Sequence, residues 1–159
     1  MNRFTSFLIL PAALLVAASG YAGDKVKYPE DYRNWTHIKT MVLHAGHPLE
    51  NPFKGMHHVY GNDKAVEGTR TGQFADGAVL VFDLLDYVTE DNASTEGERV
   101  LTGVMVKDSS RYSSTGGWGF EGFKGSSKSQ RLVNDGGKSC YDCHASQQQT
   151  DFVFSRWRN

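Results

Sequence analysis

A chain of 159 residues has room for one ordinary domain and not for two. Its 39% hydrophobic and 22% charged residues are those of a soluble globular protein, which excludes wholesale disorder and a multi-span membrane protein. The 17 basic and 18 acidic side chains leave a formal charge of -1, without the basic surplus of a nucleic-acid binder.

Met1 to Arg3 is a short basic start, Phe4 to Ala18 is almost wholly apolar, and Ser19-Gly20-Tyr21-Ala22 supplies small residues. This predicts a secretory signal peptide over residues 1–22, a single domain over 23–159 and export to the periplasm, with no membrane attachment after cleavage. An uncleaved anchor fits less well: the run is short of the roughly 20 residues that a spanning helix needs, and Pro11 interrupts it. From Tyr32 to Leu43 the chain alternates as an extended stretch, and Ala45 to Lys54, with Pro48 and Pro52, reads as a loop. Met56 to Tyr60 resumes as a strand. Asn62-Asp63 offers an N-cap for a short helix over Lys64 to Arg70, closed by Gly72. Ala78 to Val88 is the strongest strand signal, broken only by Asp83 and Asp86. A polar turn over Thr89 to Glu98 leads to strands over Val100 to Lys107 and Trp118 to Phe123. Gly125 to Gly137 reads as a connection, Lys138 to Gln149 as helical, and Asp151 to Arg158 as strand-like. With 17 glycines and 4 prolines, the expected class is α+β, mainly antiparallel sheet with a few short helices.

The chemistry sits in Cys140-Tyr141-Asp142-Cys143-His144. This C-x-x-C-H spacing is that of c-type haem attachment: two thiols in one helical turn become thioethers to a single porphyrin, and the adjacent imidazole is the proximal iron ligand. A zinc knuckle would need two more ligands at zinc-like spacing, and none of His37, His44, His47, His57 or His58 pairs that way. A thioredoxin-type pair would need a βαβ setting, and a disulfide across so short a loop restrains little. One covalent haem c on a helix near the C-terminus is therefore expected.

No Met follows His144, so a small electron-transfer cytochrome with a downstream axial Met does not fit. Met41, Met56, Met105 and the five upstream histidines remain formal candidates for a sixth ligand. The four-helix cytochromes carry the motif late too, but residues 78–123 do not read as long amphipathic helices.

The stretches Tyr32 to His37, His44 to Leu49, His57 to Tyr60, Phe74 to Val79, Val81 to Leu85, Gly116 to Gly119, Cys140 to His144 and Asp151 to Ser155 together resemble the sheet-based cytochromes c′-beta and their relatives, the cytochromes P-460. The resemblance implies a homodimer, a five-coordinate iron with His144 behind it, and a distal face that receives diatomic gases. Cytochromes P-460 cross-link a lysine to the porphyrin and oxidise hydroxylamine. The matching stretch here is Thr69-Arg70-Thr71-Gly72, and a guanidinium is a poor nucleophile. Cytochromes c′-beta instead cap the iron with two phenylalanines, and the matching positions are Phe53 and Phe82. An apolar cap offers no donor to a polar ligand such as dioxygen, and water or anions must shed hydration to enter. Nitric oxide and carbon monoxide depend little on such donors, so the expected function is gas binding, extending to nitric oxide scavenging or transport. Hydroxylamine oxidation and electron transfer to a redox partner protein are the alternatives; Asp83, turned away by alternation, is not a base for the former.

Overall fold

The computed structural model describes residues 25–158, so the expected signal peptide at 1–22 lies outside the described residues. Five strands form one antiparallel sheet in the order β1-β2-β3-β4-β5: β1 (Thr36–Leu43), β2 (Gly55–Gly61), β3 (Val79–Glu90), β4 (Ala93–Lys107) and β5 (Trp118–Lys124). Three helices accompany it: α1 (Glu50–Phe53), a single distorted turn; α2 (Asp63–Thr71); and α3 (Lys138–His144). The expected α+β class, dominated by antiparallel sheet, is the observed one.

The local signals that positioned these elements are visible in the contacts. Asn62 caps α2 by accepting from the Ala65 N–H at 3.0 Å, and Gly72 closes it in the left-handed conformation. Gly68 lets this helix settle on Phe74, because a Cβ there would lie 2.1 Å from Phe74 Cδ1.

Four elements differ from the sequence expectation. Tyr32–Asn34 is a 3-10 turn, so the first strand starts at Thr36. The loop over Ala45 to Lys54 contains α1. The segment from Thr89 to Glu98 is not an extended turn: β3 and β4 pair through Glu90 and Ala93, and only Asp91 and Asn92, at φ 50° and 61°, turn the chain. Both residue types tolerate that conformation, which suits the twist of a tight hairpin. The tail from Asp151 to Arg158 is not a strand, since its backbone N–H groups donate to Gln148, Gln147, Thr150 and Thr69 rather than along a ladder.

Register and alternation assign the two faces of the sheet. His57, Val59, Leu80, Phe82, Leu84, Met105 and Phe120 share one face, because Val59 opposes Phe82, His57 opposes Leu84, Leu80 opposes Met105 and Met105 opposes Phe120. The core lies mainly here, where Ile38, Val59, Leu80, Trp118 and Phe120 meet Ala65 of α2, Phe74 and Val153. The opposite face holds Asp83 with no solvent exposure. Its carboxylate accepts from the Tyr32 hydroxyl at 2.8 Å and from Arg99 Nε and Nη2 at 2.6 and 3.2 Å, which is how a buried charge is tolerated. Burial, followed by the hydrogen bond to Asp83, raises the Tyr32 phenol far above its usual range.

Candidate haem-binding site

The helix bearing the motif is set by polar residues around it. Asp135 accepts from the N–H groups of Gly137 and Ser139 at 3.0 and 2.9 Å, which starts α3, and Lys138 pairs with Asp142 one turn on at 2.6 Å. Cys140 and Cys143, three residues apart, thus share one turn. Both thiols are free. Cys140 is half-buried against the same core that Phe82, Met105, Tyr141 and Phe152 touch, and burial pushes its thiol up. Cys143 is exposed.

His144 is fixed by the backbone of the tail. Its Nδ1 lies 2.7 Å from the carbonyl oxygen of Phe152. A carbonyl can only accept, so Nδ1 carries the proton and Nε2 keeps its lone pair. The ring sits between Phe120 and Phe154, with centroids at 5.2 and 5.0 Å. Burial lowers its pKa, the Phe152 carbonyl partly opposing this, so the neutral form is favoured.

The carbonyl of Phe152 is itself held by the sheet. Asp151 and Phe152 have φ of 51° and 65°, uncommon for residues other than glycine. Three bonds to Asp151 hold the turn: Lys107 Nζ donates to Oδ1 at 2.6 Å, the Phe74 N–H to Oδ2 at 3.1 Å, and Trp118 Nε1 to its carbonyl at 2.8 Å. Phe152 packs over Gly116, where a Cβ would come within 2.5 Å of its ring.

On the same sheet face, Phe53 and Phe82 meet edge to face with centroids 5.8 Å apart. Residues from a loop and a strand are thereby brought together. His57 packs on Phe82, its ring centroid 4.4 Å away. Arg70, by contrast, stacks on Trp157, 4.3 Å from the ring centroid, in an open cleft that Thr69, Thr150 and Arg156 also line. That cleft, of about 670 Å³, includes none of Cys140, Cys143, His144, Phe53 and Phe82.

The family model for cytochrome P460 matches residues 29–155. The chain belongs to the cytochrome P460 family. The comparison with curated proteins returns no match. Haem c is the cofactor of this family, and the residues of this P460-family chain fit it: two free thiols in one turn, and an adjacent imidazole with one nitrogen committed to a carbonyl and the other available. The surroundings fit as well. In the cross-strand row Phe82, Gly103, Gly122 only Phe82 carries a side chain, and Leu132, which packs over Gly122, and Phe154 leave apolar surface nearly half exposed, at 47% and 45%. Cys140 and Cys143 would hold the haem covalently, and His144 would ligate its iron.

Sequence reasoning missed three contributors. The Phe152 carbonyl is a backbone group and has no sequence signature. Phe120 and Phe154 read as ordinary aromatics until the fold puts them on either side of His144.

Proposed function

We propose that this P460-family protein is an exported mono-haem cytochrome of the c′-beta type, which binds nitric oxide and carbon monoxide at an apolar face bounded by Phe53 and Phe82. The observation that carries the reading is the Phe53–Phe82 ring contact on the face against which Cys140 also packs. When bound, haem iron supplies the coordination position that a gas occupies. His144 would ligate the iron through Nε2, whose lone pair the hydrogen bond from Nδ1 to the Phe152 carbonyl leaves free. The two phenyl rings exclude water and offer no hydrogen-bond donor. A ligand that gains from such a donor, dioxygen above all, is therefore at a disadvantage against nitric oxide.

Hydroxylamine oxidation is disfavoured for this chain. Arg70, at the position matched to the cross-linking lysine, is stacked on Trp157, and Asp83 faces the other side of the sheet in its pair with Arg99. Export to the periplasm and a homodimer belong to the same reading, and light scattering of the purified protein checks the second. The decisive measurement is the ultraviolet–visible spectrum of the ferrous protein with and without nitric oxide. A five-coordinate high-spin spectrum converted by the gas is expected. A six-coordinate low-spin spectrum that the gas leaves unchanged overturns the reading.

A further inference from the structure

His57 stands apart from the other histidines of the chain. His37 and His58 bond to Thr40, His44 to the Tyr87 hydroxyl, His47 to the Leu49 N–H, and His144 to the Phe152 carbonyl. His57 has no polar partner among the described residues: it is 3% exposed, and its Nδ1 is buried and unbonded. A side chain with no other duty than filling this place would be apolar, because an unpaired buried nitrogen carries a desolvation cost with no return.

Its position says what the nitrogen could meet. His57 opposes Leu84 across β2 and β3, so it stands on the sheet face of Phe82. The two rings pack at 4.4 Å with an interplanar angle of 37°, and Phe82 in turn meets Phe53. The three rings form a series, His57, Phe82, Phe53, with Phe82 in the middle. Burial, aided by the charges of Lys39 and His58, pushes the His57 imidazole down to about 4, so its neutral, ligating form persists at ordinary pH.

We propose that His57 is a latent sixth ligand which Phe82 holds away from the iron, so that Phe82 sets the coordination number of the haem as well as access to it. The inference rests on the gas-binding reading and adds the reason why the iron stays five-coordinate with an imidazole so near the cap. Removing the Phe82 ring removes the layer between His57 and the space that Phe53 bounds. The unbonded nitrogen then has a partner to gain, and a gas must displace it.

The test uses the haem-loaded protein as wild type, Phe82→Ala, His57→Leu and the double variant, with Phe82→Val as a milder opening should Phe82→Ala fail to fold. Ferric and ferrous spectra report the spin state, flash photolysis the carbon monoxide association rate, and thermal melting the stability. Phe82→Ala is expected to turn low-spin and to bind carbon monoxide at least tenfold more slowly. The double variant is expected to return to high spin and to bind faster than wild type. His57→Leu alone should leave spectrum and rate within twofold of wild type and raise the melting temperature, since an unpaired polar group is lost. A Phe82 variant that stays high-spin, a double variant that stays low-spin, or a His57→Leu rate that departs from wild type more than twofold overturns the proposal. A wild type that is already low-spin and closed to carbon monoxide defeats the gas-binding reading and this inference together, whereas a high-spin, gas-binding wild type with a high-spin Phe82→Ala defeats this inference alone.

Discussion

Replacing Phe53 by Ala separates a ring that guards the iron from a ring that merely packs. Phe53 is half-buried, and its ring contact is with Phe82 at 5.8 Å. A fully buried Phe→Ala change costs about 3–5 kcal/mol, so the half-buried ring is expected to cost about 2 kcal/mol, part of it the aromatic pair itself. For a domain of this size that lowers Tm by roughly 5–8 °C. The association rate for carbon monoxide should rise by about one decade, the low end of the 1–3 decades over which variants of one site differ. Phe74→Ala is the control. That residue is 7% exposed, and its ring packs edge to face on Trp118 at 5.3 Å rather than on Phe53 or Phe82. It should cost about 3–5 kcal/mol and lower Tm by roughly 10–15 °C, with the association rate unchanged. Differential scanning calorimetry and flash photolysis of the loaded proteins read the two quantities independently. A folded Phe53→Ala protein with the wild-type rate refutes the placement of this ring at the iron, whatever its stability.

Peptide mapping of the exported protein should find haem only on the fragment with Cys140 to His144, retained after acidified organic solvent; haem on any lysine-bearing peptide outside that fragment contradicts the cap assignment. Arg99→Ala strips Asp83 of its 2.6 and 3.2 Å bonds while the carboxylate stays wholly buried, and should destabilise by about 3–5 kcal/mol in urea titration, with Asp83→Asn in the same background recovering part of the loss. The pH dependence of stability should carry a signature of His57. Its folded pKa, lowered to about 4, lies below the unfolded value, so between about 6.5 and 4 the unfolded chain binds a proton that the folded one does not. Stability is therefore complete above that window and falls as the pH drops through it, by about 3 kcal/mol at most. His57→Leu should flatten that slope, and an unchanged slope in the variant assigns it to another group.

What the sequence made legible was local. The C-x-x-C-H spacing pointed to the haem without any fold, and Asn62 and Gly72 marked both ends of α2, because caps and attachment motifs are decided within a few residues. The sequence signal of the β3–β4 hairpin stops at Val88 because Val88 to Glu90 and Ala93 to Glu96 are all exposed, and no buried face imposes a period there. Asp151 to Arg158 misled in the opposite way. Phe152 and Phe154 alternate as a strand would, yet they do so to stack around Tyr141 and His144 from an irregular tail. Alternation did place Asp83 on the face away from Phe82, but its pairing with Arg99 joins residues of two strands and had no local sign. His57 was invisible for the same reason. Which of two adjacent histidines is buried depends on register, and register emerges only from the assembled sheet.

The left-handed turn at Asp151 and Phe152 has a consequence for electron transfer. Two such residues cost about 1 kcal/mol or more each, and the bonds from Lys107, Phe74 and Trp118 maintain them at that cost, with the Phe152 carbonyl already aimed at His144. An imidazole oriented by the sheet in this way has little freedom to shift when the charge at the metal changes. The proximal side therefore adds little to the reorganisation energy of a redox step. With haem held at His144, whatever slows electron exchange should arise elsewhere than at this imidazole.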